Sequence, residues 1–336
     1  MKQQIERVAV VGSGYMGTGI AQVLAGAGLD VVLADADAER ARAGHARVLA
    51  EATSAEEAGT APGGTAERVA AHLTWAASAA EAADGADFVE EAVPEVLGLK
   101  RRVLAEVSAA TATAIIGSNT STIQVRALAD AVADPSRFLV VHWSNPAQLV
   151  PGVELVSGEA TDPAAADAVR AMIDGVGRVS AQLGDAPGFV LNRLQFALVK
   201  EALAIVEEGH ASPADVDAVV RSTLGFRAGF FGPLEMLDMA GLDVYADCYA
   251  SLERELGPRF APPRILTDAV ERGRHGMKNG AGLWRDYTDD DVAALTAWRT
   301  LAYSRMADLL RELPPAPVRA ATAASSDDPD LERTPA

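Results

Sequence analysis

The chain has 336 residues, enough for two domains with their own hydrophobic cores, and 49% of its residues are hydrophobic. Acidic residues outnumber basic ones 47 to 29, and the formal net charge of −18 disfavours nucleic acid and anionic membranes as partners. Its one cysteine, Cys248, excludes an intramolecular disulfide and a cysteine metal site, and we expect this small apolar side chain to be buried.

The first apolar run of the chain, residues 8–11, follows Lys2 and Arg7 and superficially resembles a signal peptide. The run is too short for one and leads directly into glycines. No other segment approaches the roughly 20 apolar residues of a membrane span. We therefore expect a cytoplasmic protein.

Residues 8–11 (V-A-V-V) are typical of a buried parallel strand, and G-S-G-Y-M-G follows at residues 12–17. In such a turn the first glycine allows the tight bend, the second lets backbone approach a pyrophosphate, and the third lets helix pack on strand. A second strand at residues 30–34 ends in Asp35, whose carboxylate would accept hydrogen bonds from an adenosine ribose and repel a 2′-phosphate. These features predict a nucleotide site that prefers NAD to NADP; a glycine turn in another α/β protein is the alternative.

The rest of the first domain continues the alternation of helices and strands. Residues 36–80 are rich in alanine and predicted to be mainly helical, with an interruption at residues 59–64. Further strands are predicted at residues 87–89, 114–117 and 138–141. Ligands of open α/β sheets bind at the carboxyl ends of the strands. Three polar side chains are predicted to converge there: Glu95, Ser121 and His142.

His142 ends one apolar strand, and Glu154 lies on the next apolar segment. The unperturbed pKa of histidine lies near neutrality, and a neighbouring carboxylate fixes its tautomer and makes it more basic. The two residues are predicted to form an acid/base pair. None of the other histidines lies in a pattern of metal ligands, so we expect no metal and interpret them as surface or packing residues: His45, His72, His210 and His275.

From Pro187 onward the apolar residues recur at the spacing of helices. One long amphipathic helix is predicted from Phe189 to near Gly209, and another begins at Ser212. The wide apolar stripes of this region are suited to a dimer interface. After about Leu313 the composition shifts to Pro, Ala, Ser and Asp, which predicts a disordered tail.

Five motifs in unbroken order, from about Arg7 to Tyr287, resemble those of the 3-hydroxyacyl-CoA dehydrogenases. They are V-A-V-V-G-S-G-Y-M-G, S-N-T-S, H-W-S-N-P with a downstream V-E-L-V, P-G-F-V-L-N-R-L and G-P-L-E-M-L-D-M-A-G-L-D. The resemblance implies an α/β fold, with a Rossmann-type doubly wound parallel sheet in residues 1–186 and an all-helical substrate and dimerisation domain in residues 187–312. The tail would be residues 313–336. The resemblance also implies NAD as cofactor, a homodimer, and a small hydroxyacyl or hydroxy-acid substrate.

The same resemblance implies roles for individual residues. His142 would be the catalytic acid/base with Glu154 as its partner, and Ser121 and Asn192 would surround the reacting oxygen. The alternatives are a helix cap for Ser121 and an N-terminal cap or buried polar bridge for Asn192. The implied cofactor contacts are Gly12, Gly14, Tyr15, Met16, Gly17, Asp35, Glu95, Lys100 and Asn145.

The chain departs from the acyl-CoA enzymes in residues 36–80, which contain no lysine and many acids and are a poor host for the phosphates of coenzyme A. The H-W-S-N-P and D-M-A-G-L-D-V-Y segments are similar to relatives that oxidise free hydroxy compounds, such as gulonate, carnitine and pyridine-carboxylate dehydrogenases. A free acid needs a counter-charge, for which we predict Arg227, with Arg193 as a second candidate. A surface ion pair is the other interpretation of both arginines.

Two further alternatives share the scaffold. A crystallin-like protein would bind the cofactor without turnover, but the joint presence of His142, Glu154, Ser121 and Asn192 argues against it. A β-hydroxyacid dehydrogenase would need a lysine near Asn192, and the next lysine along that helix is Lys200.

Overall fold

The computed structural model describes residues 4–314, and the chain divides into two compact units between Glu201 and Ala202. Of the predicted tail, residues 315–336 lie outside the described part. The predicted domain limits at residues 186 and 312 stay predictions.

The first unit is built on an eight-stranded sheet. Its strands are β1 (Arg7–Val11), β2 (Asp30–Ala34), β3 (Leu73–Trp75), β4 (Phe88–Glu91), β5 (Ile115–Ser118), β6 (Phe138–Trp143), β7 (Gly152–Ser157) and β8 (Val179–Gly184). They lie in the order β3-β2-β1-β4-β5-β6-β7-β8. Strands β1 to β6 run parallel, which confirms the predicted Rossmann-type fold.

The sheet differs from a fully parallel one at its last two strands. β7 pairs antiparallel with β6, and β8 runs parallel to β7. Only residues 144–151 connect β6 to β7. A parallel return needs a crossover of about a dozen residues or more, so this short connection reverses the chain. The reversal puts His142 directly opposite Glu154 in the strand register.

Helices flank the sheet and make up the second unit. In the first unit they are α1 (Tyr15–Gly26), α2 (Ala38–Glu57), α3 (Thr65–His72), α4 (Ala79–Ala83), α5 (Leu97–Ala110), α6 (Val125–Leu128) and α7 (Pro163–Gly175). Helix α8 (Leu191–Glu207) contains the unit boundary. The second unit contains α9 (Pro213–Val219), a π-helical turn (Val220–Gly225), α10 (Phe226–Ala228), α11 (Pro233–Ala240), α12 (Leu242–Leu256), α13 (Arg264–Glu271) and α14 (Asp289–Glu312).

The central strands of the sheet are buried on both faces, since helices pack on each side and successive residues of a strand point to opposite sides. Val8 and Val10 of β1 belong to the core on one face, together with Leu24 of α1. Val11 belongs to the core on the other face, together with Leu104 of α5. This arrangement explains why the strands read as continuous apolar runs.

The expectation that Cys248 is buried is wrong. Cys248 is exposed on α12, whose apolar face is formed by Leu242, Tyr245 and Tyr249. At 3.6 residues per turn, position 248 lies well away from the middle of that face. The helical spacing therefore leaves its thiol outside the core of the second unit.

One acid of the core stands out within residues 4–314. The Glu90 side chain on β4 is fully buried, and neither carboxyl oxygen has a hydrogen-bond partner there. Burial raises the pKa of Glu90 well above its ordinary value; the neighbouring Glu91 adds to this rise, and the charge of Lys100 opposes it. The fold therefore favours the protonated form of Glu90.

The free energy of unfolding is expected to fall as pH rises because Glu90 becomes ionised, and Glu90→Gln should remove this part of the pH dependence. The pKa of Glu90 is higher in the folded chain than in the unfolded chain. Below the unfolded-state pKa, Glu90 therefore does not lower the free energy of unfolding. As pH rises from that value to the folded-state pKa, the free energy of unfolding falls by up to about 1.4 kcal/mol per pH unit. Glutamine has a similar size and does not titrate. Urea unfolding at pH 5 and pH 8 should show a smaller difference for Glu90→Gln than for the unmodified chain, whereas exposed Glu57→Gln should not change the difference. An unchanged difference in Glu90→Gln would contradict the expectation.

Candidate active site

The glycine turn between β1 and α1 has a distinct geometric requirement at each glycine. Gly12 has φ +111°, and a Cβ there would lie 2.6 Å from the carbonyl oxygen of Ala92. A Cβ on Gly17 would lie 1.8 Å from the carbonyl oxygen of Gly12. No protein atom lies within 4 Å of a Cβ built on Gly14, which immediately precedes α1. The backbone at the N-terminus of α1 is thus open to a phosphate group.

Asp35 is fixed at the end of β2 by the same turn. Its Oδ2 atom accepts hydrogen bonds from the Ser13 amide at 2.6 Å and from the Ser13 hydroxyl at 2.7 Å, and Oδ1 accepts from the Ala36 amide at 2.7 Å. Burial raises the pKa of Asp35, but these bonds and the charge of Arg40 outweigh burial and hold the pKa below its usual value. The carboxylate is therefore ionised and oriented before any ligand binds.

A cavity of about 620 Å³ opens beside the turn. The predicted cofactor residues that line it are Gly12, Gly14, Tyr15, Met16, Asp35 and Glu95. Asn119 and Ser121, which follow β5, line the same cavity. The volume, the mainly apolar lining and the fixed carboxylate fit a dinucleotide.

Three other predicted cofactor residues do not line this cavity. Gly17 is buried behind the turn, where it permits close packing. Asn145 is exposed in the connection between β6 and β7, ahead of a cis peptide bond to Pro146. The Lys100 side chain is completely buried in α5. Lys100 thus contacts Glu95 from behind and does not line the cavity itself, although the sequence motif suggested one role for both.

The predicted pair is formed across the reversed strands β6 and β7. The Nδ1 atom of His142 lies 2.8 Å from Oε2 of Glu154, and both side chains are largely buried. A carboxylate only accepts hydrogen bonds, so Nδ1 carries the hydrogen and Nε2 is left to exchange a proton. That Nε2 atom lies 3.2 Å from the hydroxyl oxygen of Ser121.

Glu154 is held by the start of α8 as well as by His142. Its Oε1 atom accepts hydrogen bonds from the backbone amides of Val190, at 3.0 Å, and Leu191, at 2.9 Å. Burial raises the pKa of Glu154, but the hydrogen bonds from His142, Leu191 and Val190 outweigh burial and lower the pKa overall. Glu154 is therefore an ionised partner for the imidazole at neutral pH.

Asn192 completes a continuous set of contacts in the first unit. Its Nδ2 atom donates to the backbone oxygen of Ser121 at 2.7 Å, so it forms a polar bridge in the first turn of α8. Ser121 does not cap α6, whose N-cap is Gln124. All four predicted catalytic residues are therefore joined in one group of hydrogen-bonded contacts: Glu154, His142, Ser121 and Asn192.

Phe189 packs beside His142, and no motif in the sequence indicated this contact. Its ring lies 5.8 Å from the imidazole of His142, between ring centroids, and it is 2% exposed. Its φ of +50° is in the left-handed region, which is unusual for a bulky residue. The only sequence signal was the preceding Gly188, which marked a turn but not the direction of the next side chain.

The arginines proposed as counter-charges lie in different units. Arg193 is exposed in the first turn of α8. Arg227 lies in α10 of the second unit, where its Nε atom donates to the backbone oxygen of Thr223 at 3.2 Å. Neither arginine has a carboxylate within 4.0 Å in the part of the chain that the structure describes, and the counter-charge role of both stays a prediction.

Residues 4–314 contain neither a metal cluster nor a membrane-spanning helix. No group of three or more His, Cys, Asp or Glu side chains is arranged to hold a metal ion in that range. Across the same range, every helix is too short or too polar to cross a bilayer.

Comparison with known proteins agrees with the fold and the glycine turn. The sequence matches the family of the 3-hydroxyacyl-CoA dehydrogenase NAD binding domain over residues 7–186 and that of its C-terminal domain over residues 188–286. It is 33% identical to 5-formyl-3-hydroxy-2-methylpyridine 4-carboxylate 5-dehydrogenase of Mesorhizobium japonicum, over 88% of this chain and 95% of the relative. It is 32% identical to lambda-crystallin of Oryctolagus cuniculus, over 92% of this chain and 97% of the relative.

The fold is similar to the crystal structure of a 3-hydroxyacyl-CoA dehydrogenase from Archaeoglobus fulgidus. The TM-score is 0.77 at 31% identity, over 91% of this chain and 99% of the other. Both sequence-family matches together cover most of the chain, and they lie in the predicted order. The chain therefore belongs to the 3-hydroxyacyl-CoA dehydrogenase family and is an NAD-dependent oxidoreductase that acts on hydroxyl groups.

Proposed function

We propose that the chain oxidises the hydroxyl group of a 3-hydroxyacyl-CoA or a related small hydroxy acid, or reduces the matching carbonyl, with His142 and Glu154 as the acid/base pair. The observation that supports this proposal is the hydrogen-bonded series Glu154, His142 and Ser121, which ends at the cavity beside the glycine turn. NAD, when bound, supplies the hydride acceptor. The side chains supply binding, orientation and proton transfer.

His142 is proposed to take the hydroxyl proton at Nε2 during oxidation and return it during reduction. The ionised Glu154 carboxylate accepts from Nδ1, which holds the ring in one tautomer and stabilises the imidazolium that forms. The backbone amides of Val190 and Leu191 hold Glu154 in place. Phe189 packs beside the imidazole and limits its contact with water.

Ser121 is proposed to hydrogen-bond the reacting oxygen of the substrate. Its hydroxyl lies 3.2 Å from Nε2 of His142, so one oxygen placed beside both groups would contact the base and the hydroxyl together. Asn192 is proposed to be a second polar group beside the reacting oxygen, because its side-chain amide donates to the backbone oxygen of Ser121 at 2.7 Å. The exposed position of Ser121 beside the cavity supports a role with a ligand rather than one in the core.

Of the two kinds of substrate in this proposal, the arginines of residues 36–80 favour a free hydroxy acid over a CoA thioester. Arg40 pairs with Asp37 at 3.7 Å, Arg68 donates to the backbone oxygen of Gly26 at 3.1 Å, and Arg47 donates to the backbone oxygen of Ser13. Only one other arginine, Arg42, occurs in this lysine-free segment. Few cations are therefore left there for the phosphates of coenzyme A.

An assay with both kinds of substrate distinguishes a dehydrogenase of CoA thioesters from a dehydrogenase of free hydroxy acids. Formation of NADH or NADPH should be followed by absorbance with 3-hydroxybutyryl-CoA, gulonate, carnitine and aromatic hydroxymethyl carboxylates, each with NAD and with NADP. We expect turnover of a free acid, and a preference for NAD because Asp35 is ionised and fixed. Turnover confined to the CoA ester would instead support the thioester version. No turnover of any compound, together with NADH binding, would favour a crystallin-like protein.

Three further expectations from the sequence stay predictions. They are the homodimer, the cytoplasmic location, and the binding of a substrate carboxylate by Arg227. We propose the homodimer on the basis of the exposed apolar residues of α8, which include Leu194, Phe196 and Leu203.

A further inference from the structure

The ammonium group of Lys100 has no exposure to the nucleotide cavity or to solvent. Its side chain is 0% exposed, and its Nζ atom donates to Oε1 of Glu91 at 2.9 Å and to the backbone oxygen of Val93 at 3.1 Å. The Oε2 atom of Glu95 lies 3.6 Å away on the remaining side. An ammonium has three N–H donors, and protein acceptors surround this one. Its donors therefore face protein acceptors and not the cavity.

Through Glu91, Lys100 is linked to the end of β5. Glu91 is fully buried, and its Oε2 atom accepts a 2.5 Å hydrogen bond from the hydroxyl of Ser118, the last residue of β5. The Oε1 atom of Glu91 also accepts from the backbone amide of Val93 at 2.7 Å. Lys100 and Glu91 thus join α5, the end of β4 and the end of β5.

Through Glu95, Lys100 is linked to the loop that follows β5. The Oε1 atom of Glu95 accepts from the hydroxyl of Thr120 at 2.6 Å, from the Ser121 amide at 3.0 Å, and from both the amide and the hydroxyl of Thr122 at 3.0 Å. Burial raises the pKa of Glu95, but these bonds and the Lys100 charge outweigh burial and lower it overall. An ionised carboxylate is the form best suited to gather so many donors.

We propose that Lys100 is a positioning residue for Ser121: by holding Glu91 and Glu95 together, it fixes the loop of residues 118–122 and so the distance between the Ser121 hydroxyl and His142. Without the ammonium, the carboxylates of Glu91 and Glu95 would repel each other with no cation between them. Glu91 is buried, whereas Glu95 is partly exposed, so Glu95 is the residue that would move. Movement of Glu95 would release the Ser121 amide. This inference rests on the proposed function, in which Ser121 contacts the reacting oxygen.

The test compares Lys100→Met with the unmodified full-length protein. Turnover is measured with the compound of the panel above that reacts fastest, and cofactor affinity by NADH fluorescence titration. We expect kcat to fall about tenfold or more, because small misplacements of catalytic groups are costly. The Kd for NADH should rise by a smaller factor, because Glu95, which lines the cavity, moves as well. A cofactor ligand would show the reverse pattern. NADH affinity weakened by more than about tenfold with kcat retained would overturn the proposal, and so would unchanged kinetics.

A double-mutant cycle with Ser121→Ala separates positioning from a general structural effect. If Lys100 acts through Ser121, adding Lys100→Met to Ser121→Ala should lower kcat by less than about twofold further. Independent effects that multiply would overturn the proposal. Arg102→Met is the matched control, because Arg102 is an exposed cation on the same helix, and its kinetics should not change.

Lys100→Met leaves Glu91 buried without its counter-charge, which is destabilising. If this variant does not fold, Lys100→Met with Glu91→Gln removes both buried charges and takes its place, with the same expected results. Failure of the proposed function would appear differently, as turnover that survives the loss of His142.

Discussion

Replacing His142 by alanine is expected to lower kcat by roughly 10²–10⁴-fold, because the substrate proton would lose its acceptor while hydride transfer still requires its removal. The fold should tolerate the change, since Glu154 keeps the backbone amides of Val190 and Leu191 as donors when the imidazole is absent. NADH affinity should stay within about twofold of the unmodified value. Steady-state kinetics and NADH titration on the same preparation measure both quantities.

His210→Ala is the matched control for this substitution. His210 is an exposed histidine of the second unit, and it lies 3.6 Å from the carboxylate of Glu208, so it also has an acidic neighbour. Its removal should leave kcat unchanged. Turnover by His142→Ala at more than about a tenth of the unmodified rate would show that another group moves the proton, and would remove the acid/base assignment while leaving the nucleotide site intact.

Gly14→Ala is expected to weaken NADH binding about tenfold to a hundredfold without lowering stability. No protein atom lies within 4 Å of the added methyl group, and the backbone of Gly14, at φ −67°, suits any residue. Gly14 lines the cavity beside the N-terminus of α1, so the methyl group should occupy space that the pyrophosphate needs. Overpacking of this kind costs about 1–3 kcal/mol, and each 1.4 kcal/mol is about a tenfold change in Kd.

Gly98→Ala tests whether an added methyl group alone has an effect. Gly98 lies in α5, and a Cβ there likewise meets nothing within 4 Å, but Gly98 does not line the cavity. NADH affinity should be unchanged in this variant. Thermal unfolding and NADH titration of both variants measure the outcome; equal affinities in Gly14→Ala and the unmodified chain would place the phosphates elsewhere.

The glycine turn, the strands that lead to it and the acid at residue 35 were all predictable from the sequence, because the requirements are local. Gly12 needs a positive φ, and Gly17 needs space at a helix start, so the chain itself shows where the turn lies. The strands β1, β2 and β4 to β6 are buried on both faces, so they read as apolar runs. Short or edge strands have no such signal, and β3 and β8 were missed.

Roles that depend on long-range packing were less predictable. Glu95 and Lys100 lie five positions apart and looked like members of one cofactor motif. In the folded chain Glu95 lines the cavity, whereas Lys100 is enclosed by Glu91 and Val93. The burial of a helical side chain such as Lys100 depends on which other elements pack against the helix, and the local sequence pattern does not indicate this. The same reason explains the exposed thiol of Cys248.

The sequence alone determined the family, the cofactor and the pairing of one histidine with one carboxylate, because motif order and residue chemistry are carried by the chain itself. Only the tertiary structure decided how that pair forms. The short connection after β6 reverses the strand direction, and the reversal sets His142 opposite Glu154 in register. The loop after β5 then brings Ser121 to the other nitrogen of the same ring, a contact between residues 21 positions apart. Such contacts depend on strand order and on loops anchored by buried charges, which are properties of the packed molecule.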